Sequence, residues 1–433
     1  NSFYRLVVDF KANADKDKFV FPTKPPFKEK NKETMIKGGF VKEPMSGLHE
    51  NIIILDFKSL YPSLIYTFNL SIEMIDDNGI DIGNGTKIKQ EPKGIMPAMI
   101  KDLIQLKDDM KKKVEGTGQN ISDKMFAIKT FINSFYGVNA LTSFRLYNKN
   151  IAECITFLGR IFVNKLSEFI ETVGYKVIYN DTDSMFIQVN DPLEEGLKIE
   201  KLVNEEIQRI LKTKYKLSDS NISVELEKVF GRIILQTKKR YAGLITFKQE
   251  EGKLILLKEP EIQITGLAAR RSDVSQLSKY IQRNIFNFIL KGGSEEDTKK
   301  YIKHEINKII RNQANIEDLA IPTKLNKNVE EYKVQNIPKI RGVKWSNEHL
   351  KTQFSGGQKF LMLYVKHPET DVVCFQDIDQ VKDLEINKEM MIEKVIIQKI
   401  QEVFLCLKWT NSLKEIENYY KNKLKGQVEL FNS

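Results

Sequence analysis

The stretch VIYNDTDSMFI, Val177–Ile187, sets two aspartates, Asp181 and Asp183, at a tight turn between two apolar runs. Apolar residues on either side of a polar Asn-Asp-Thr-Asp-Ser centre read as two strands joined by a short turn. Like charges that close are costly, at roughly 4 kcal/mol for a separation of about 4 Å and an effective dielectric near 20. Either a cation compensates them or water does, and only the first outcome carries chemistry.

A third carboxylate sits in a comparable place. In ENIIILDFKSLYPSLIYTF, the apolar run Ile52–Leu55 reads as a buried strand ending at Asp56. A turn follows, then a helix with Pro62 near its first turn. The segment FKSLYPS therefore offers backbone N–H groups at the positive end of a helix dipole, a ready phosphate site, with Tyr61 beside it. Hard Mg²⁺ takes oxygen ligands, often only one or two carboxylates, and completes its shell with phosphate and water. Strand-borne carboxylates gathered from distant sequence suit phosphoryl transfer with metal ions roughly 3.5–4 Å apart. The plainer reading makes each aspartate a turn residue or a salt-bridge partner.

The chain has 433 residues, 41% hydrophobic and 29% charged, enough for more than one core. Its net charge of +10 suits a polyanionic partner without demanding one. Cys154, Cys374 and Cys406 are far apart and none of the four histidines is at metal-ligand spacing, which argues against a zinc site or a disulfide framework. A reducing compartment is the expectation. No apolar run reaches the roughly 18 residues of a membrane span, and no signal-peptide pattern opens the sequence.

Residues 1–37 include the proline-punctuated FPTKPPFKEKNKE, and residues 76–94 read as a Gly/Asn-rich loop or hairpin. Two helical patterns follow. PAMIKDLIQLKDDMKKKVE places Leu103, Leu106 and Met110 on one face, and ISDKMFAIKTFINSFYG can be capped by Ser122. The short GTGQN between them predicts an antiparallel helical hairpin. Another helix is expected over 151–172. FGRIILQTKKRYAGLITF alternates as strand about a basic centre, and beyond about 276 the chain turns helical and lysine-rich, with a strand-like KFLMLYV at 359–365. No internal repeat is present. On the second hairpin helix, Lys129, Asn133 and Tyr136 share a face at i, i+4 and i+7. A cation, an amide and an aromatic there suit a nucleotide, although an exposed lysine beside a core tyrosine is the plainer account.

DFKSLYPSLI, KTFINSFYG and YNDTDS resemble, in order and spacing, motifs A, B and C of the family B DNA polymerases. GGFVKEPMSGLHENIIIL is similar to the lead-in to motif A, and KKRYAGL to the family's KKRY-type DNA-contact motif. IPKIRGVKW and GGQKFLMLYVK resemble the thumb more loosely. The resemblance implies an α+β right-hand polymerase with an antiparallel-sheet palm, helical-hairpin fingers and a mostly helical thumb. Its parts would be a linker over 1–37 resembling the exonuclease-to-palm connection, palm over 38–92, fingers over 93–137, palm again over 138–275 and thumb over 276–433.

The resemblance also implies roles. Asp56 and Asp183 would bind two Mg²⁺ ions, with Mn²⁺ able to substitute and the Phe57 carbonyl as a further ligand; Asp181 would be a supporting carboxylate. Ser59 and Leu60 would offer N–H groups to the triphosphate, Tyr61 would exclude a 2′-hydroxyl, and Lys107 and Lys129 would contact phosphates. Asn133 and Tyr136 would border the nascent base pair. Lys238, Lys239, Tyr241, Arg270 and Arg271 would hold primer–template DNA. Gln427, Leu430 and Phe431 of QVELFNS fit the QxxLF spacing of sliding-clamp-binding tails.

Three departures stand out. Lys107 occupies the place where the family commonly has arginine, keeping the charge but losing the bidentate fork. Asn180 replaces a common glycine in motif C, with left-handed backbone expected to be tolerated there. Ala268 replaces the glutamate of the usual GLE.

About 55 residues precede Asp56, too few for the family's N-terminal and exonuclease domains. The expectation is a polymerase module without its own proofreading: a truncated chain, a split gene with a separate exonuclease chain, or an exonuclease-free relative. Its expected place is inside the cell with DNA (cytoplasm, nucleoid or a viral replication site), neither secreted nor in a membrane. The activity expected is template-dependent addition of dNMP to a primer 3′-hydroxyl in replication or repair. The alternative is a non-catalytic polymerase-derived protein that binds DNA or a clamp; retention of Asp56, Asp183, Lys129 and Tyr61 argues against it. A reverse transcriptase usually has adjacent motif C aspartates, whereas Thr182 separates these two.

Overall fold

The computed structural model describes Ile36 and residues 38–114, 122–250 and 253–431; within them the side chains of 107, 108, 111–114, 122, 125, 138 and 427–431 lie outside the description. The chain divides into two compact units. The first takes Asn1–Glu43, Asn51–Val229 and Lys248–Ile255, and the second takes Pro44–Glu50, Phe230–Phe247 and Leu256–Ser433.

In the first unit the organising element is the end of β1 (Gly47–Phe57), where Ile52, Ile53, Ile54 and Leu55 are all buried. Four consecutive apolar residues without alternation mean that both strand faces are covered. Along the chain follow α1 (Leu60–Thr67), the hairpin β2 (Ile75–Asp81) and β3 (Lys87–Ile88), α2 (Ile95–Val114), α3 (Ser122–Asn139), α4 (Lys149–Thr172), β4 (Lys176–Asp181), β5 (Ser184–Gln188) and α5 (Glu194–Lys214). The sheet then takes up β6 (Val224–Thr237), giving the order β4-β5-β1-β6. β5 pairs antiparallel with both β4 and β1, and Ser184 lies opposite Asp181 on one side and Asp56 on the other. That register brings the two distant motifs together.

Helix α4 packs on β4, β5 and α5. Its start is capped by Asn148, whose side chain accepts from Ile151 N at 3.1 Å, and Ile155, Leu158, Phe162, Leu166 and Ile170 form its fully buried stripe. α5 carries Glu194 and Glu195 in its first turn and Lys212 and Lys214 in its last, the arrangement that complements a helix dipole. On α2 the sequence reading needs one correction. Leu106 is 48% exposed, and the helix is anchored instead by Met96, Met99 and Ile100 in its opening turns.

In the second unit β6 continues beside β7 (Arg240–Glu250) and β8 (Lys253–Thr265). Beyond them come α6 (Gln276–Leu290), α7 (Glu295–Ile310), α8 (Ile316–Leu319), α9 (Pro338–His349), α10 (Lys388–Ile392), a π-helical turn at Glu393–Ile397, α11 (Gln398–Cys406) and α12 (Thr410–Phe431). Ser275 and Ser294 cap α6 and α7. The KFLMLYV run is the middle strand of a three-stranded sheet, β10 (Lys359–Tyr364) between β11 (Val372–Phe375) and β9 (Ile321–Lys324). One apolar core joins these helices and strands. Among the described residues no helix is long and apolar enough to cross a membrane.

Candidate active site

The opening stretch forms a two-residue hairpin: Thr182 and Asp183 lie between the paired residues Asp181 and Ser184. The turn works differently from the sequence reading. Asn180 stays in β4, fully buried, and donates from Nδ2 to Ser167 Oγ at 2.8 Å. Thr182 takes the left-handed conformation instead, with φ 62°. For a β-branched residue this is strained backbone, kept only where the surroundings over-determine it. Thr182 N donates to the Phe40 carbonyl at 3.1 Å, and Phe57 N donates to the Asp183 carbonyl at 3.0 Å.

Asp56 and Asp183 line one cleft of about 600 Å³. Phe57, Lys58, Ser59, Leu60, Tyr61 and Pro62 form its wall from the turn into α1, and Lys129 and Asn133 reach it from α3. Asp181 is not among the lining residues, although its strand is one step away. Ser59, φ 52°, precedes α1 in left-handed backbone and gives it no side-chain cap. The positive helix end therefore opens on the cleft lining, where an anion is stabilised. Tyr61 packs against Tyr136 with ring centroids 4.7 Å apart. Lys129 and Asn133 on the cleft lining and Tyr136 against Tyr61 thus lie in one neighbourhood, in keeping with their helical spacing.

The electrostatics of this cleft are dominated by Asp56. Burial, and then the charges of Asp183, Glu227 and Glu225, push its carboxyl up to about 8, with Lys228 offsetting part of the effect. A divalent ion fits such a place, because its charge would restore the carboxylate. Asp56, Asp183 and the Phe57 carbonyl provide hard oxygen donors suited to Mg²⁺. Among the described residues no three His, Cys, Asp or Glu side chains group as a metal site. An ion here would complete its shell with substrate and water oxygens, as Mg²⁺ commonly does.

The remaining predicted residues fall elsewhere. Lys107 is on α2, but its side chain lies outside the described residues, as do those of Ser122, Gln427, Leu430 and Phe431; the GTGQN join is also outside them. The backbone of α12 continues to Phe431. Lys238 and Lys239 form the exposed β6–β7 turn, with Lys239 at φ 60°. Tyr241 is only 7% exposed; its ring meets Phe230 at 6.3 Å and its hydroxyl accepts from Gln263 at 3.4 Å. It is packed as a core residue, with the lysines before it on the surface. Arg270 is exposed, and Arg271 makes a two-pronged bond to Asp273 at 2.9 and 2.6 Å.

The family model for DNA polymerase family B matches residues 10–407. This chain belongs to DNA polymerase family B. The chain is 31% identical over 324 residues to a DNA polymerase of Thermococcus gorgonarius, covering 72% of this chain and 40% of that protein. It is 30% identical over 305 residues to a DNA polymerase of Archaeoglobus fulgidus, covering 68% of this chain and 36% of that protein. Both matches span less than half of the relative. In fold it is similar to the family B DNA polymerase from the hyperthermophilic archaeon Pyrobaculum calidifontis, with a TM-score of 0.64 at 22% identity, over 88% of this chain and 48% of that one.

Two acidic residues of this family B cleft escaped the sequence reading. Glu225 lines it and pairs with Lys58 at 3.2 Å, and Glu227 acts on Asp56 through its charge. The alternation VELEK, in which Glu225 and Glu227 share one strand face, was the available signal. Arg160 on α4 was also missed. It donates to the Gly38 carbonyl at 2.8 Å and acts electrostatically on Tyr61 and Tyr136.

Proposed function

We propose that this chain is the catalytic module of a DNA-directed DNA polymerase, extending a primer 3′-hydroxyl with deoxynucleotides copied from a template. The observation that carries the reading is the single cleft in which Asp56, Asp183, the start of α1, Lys129 and Tyr61 meet. Two Mg²⁺ ions, or Mn²⁺, held by Asp56, Asp183 and the Phe57 carbonyl would acidify the primer hydroxyl and neutralise charge on the transferring phosphate. Ser59 and Leu60 present backbone N–H groups to the triphosphate, and Lys129 adds a cation. Tyr61 lies under the deoxyribose and leaves no room for a 2′-hydroxyl. Asn133 and Tyr136 border the base pair being formed. The exposed Lys238, Lys239, Arg270 and Arg271 contact the DNA backbone, which makes binding fall with salt.

The test is primer extension by the full chain with dNTPs and Mg²⁺, with and without template. Extension that follows the template is expected; DNA binding without extension would instead indicate a non-catalytic binding protein. Lys129→Ala is expected to raise KM for dNTP about 10–100-fold, the scale of a lost charge-assisted hydrogen bond of roughly 1.5–3 kcal/mol. An unchanged KM would remove Lys129 from the triphosphate site. Tyr61→Ala is expected to lower the preference for dNTP over rNTP by about tenfold or more; equal preference before and after would end the sugar-gate role.

Gln427, Leu430 and Phe431 are proposed to engage a sliding clamp. Truncation before Gln427 should leave basal extension unchanged and remove stimulation by the clamp, and stimulation that survives truncation rejects the assignment. A separate exonuclease chain is a further proposed partner, to be sought by co-purification.

A further inference from the structure

Tyr61 is seated by groups that belong to neither the carboxylate pair nor the triphosphate contacts. A Cβ on Gly159, in α4, would lie 3.1 Å from Tyr61 Cε1. A Cβ on Gly39 would lie 3.0 Å from Tyr61 Oη and 2.9 Å from Thr182 Cγ2. Gly39 is not among the positive-φ residues, so lack of space, rather than an unusual backbone, is what calls for glycine there. Tyr136 closes the remaining side at 4.7 Å.

The segment carrying Gly39 is tied on both sides. Arg160 Nη1 donates to the Gly38 carbonyl at 2.8 Å, and the Phe40 carbonyl accepts from Thr182 N at 3.1 Å. The second bond falls on the residue held at φ 62° next to Asp183. It is the kind of tertiary restraint that strained backbone requires. Gly38–Phe40 therefore links a rigid helix, the Asp183 turn and the hydroxyl of Tyr61.

We propose that Gly38–Phe40, anchored by Arg160, is a positioning strap that fixes how far Tyr61 reaches into the cleft and so how strictly a ribose 2′-hydroxyl is excluded. This rests on the reading of Tyr61 as the sugar-contacting residue. A methyl at position 39 would press on the Tyr61 hydroxyl and on Thr182 Cγ2, so that one or both must shift by a few tenths of an ångström. Loss of the Arg160 anchor frees the strap and lets Tyr61 retreat before a larger sugar.

The experiment compares kcat/KM for dNTP and rNTP with the full chain, together with Kd for both nucleotides on a primer ended by a dideoxynucleotide, which separates binding from chemistry. Arg160→Gln, whose amide is too short to reach the Gly38 carbonyl, is expected to lower the dNTP/rNTP ratio about tenfold, in Kd as well as in kcat/KM, and Arg160→Lys to retain most of it by keeping a cationic donor of nearly the same reach. Gly39→Ala is expected to change the ratio by about fivefold or more, and most of that change should vanish in the Tyr61→Phe background, where the struck oxygen is gone. Ratios within about twofold of the unmodified chain for both Gly39→Ala and Arg160→Gln would overturn the strap. So would a Gly39→Ala effect that persists undiminished with Tyr61→Phe. If Gly39→Ala does not fold, the Arg160 pair decides alone. Failure of the underlying reading looks different: Tyr61→Ala itself would then leave sugar preference unchanged.

Discussion

Asp183→Ala is expected to abolish primer extension, with a fall of at least about 10³-fold in kcat. The magnitude follows from what the residue supplies. A metal-held phosphoryl group gains several kcal/mol of charge stabilisation, and each 1.36 kcal/mol is about tenfold in rate. The fold should survive, because the link from Phe57 N goes to the Asp183 backbone carbonyl, which alanine retains. Circular dichroism and primer–template binding should match the unmodified chain while single-turnover extension disappears. Residual extension within tenfold of the unmodified chain would show that Asp183 is not part of the reacting centre. Asp181→Ala is the informative neighbour. Its side chain is outside the cleft lining, so a smaller loss is expected from it than from Asp183→Ala.

Asp56→Asn should also eliminate activity, yet make the metal-free protein more stable at alkaline pH. The folded-state carboxyl titrates at about 8, against an ordinary value of 3.8, chiefly through burial and then through Asp183 and Glu227. The folded chain therefore holds a proton that the unfolded chain has already released. Its contribution to stability is fully present below about pH 4 and is lost as pH rises through about 8. Asparagine removes the charge that must be buried above that point. A gain of about 1–3 kcal/mol at pH 8.5 is expected in metal-free buffer, seen as a rise of a few degrees in Tm. Mg²⁺ should stabilise the unmodified chain more at pH 8 than at pH 5, and the Asn variant much less at either. Thermal melts across pH, with and without Mg²⁺, measure all of this. A variant less stable than the unmodified chain at pH 8.5 would mean that Asp56 is compensated by the protein itself.

Much of this site was legible in the chain because its periodicities are local. The apolar run Ile52–Leu55 announced a covered strand, and both strand ends carrying Asp56 and Asp181 were placed by pattern alone. The spacing of Lys129, Asn133 and Tyr136 follows from helix geometry, and the structure puts the first two in the cleft and the third against Tyr61. Tyr241 shows the limit. The resemblance implies one DNA-contacting role for Lys238, Lys239 and Tyr241, but the turn ends after Lys239 and β7 directs Tyr241 into the core beside Phe230. Asn180 shows another: left-handed backbone is expected to be tolerated there, but the turn forms with Asn180 as a buried partner of Ser167 and with Thr182 in the left-handed conformation. Which residue takes the strained conformation depends on which bonds hold it there, and the bond to Phe40 crosses a long stretch of chain.

Sequence alone therefore pointed to the family and to the main strand and helix patterns, since each is carried by motifs and spacings within a few residues. Only tertiary structure decided that Asp56 and Asp183 share one cleft while Asp181 stands outside its lining, because that follows from the register of β5 between β1 and β4. It alone decided that Glu225 and Glu227 act on Asp56, that Arg160 holds the Gly38 carbonyl, and that a side chain at position 39 would crowd Tyr61 and Thr182. Charge coupling and steric fit act through space, over distances that no spacing along the chain encodes.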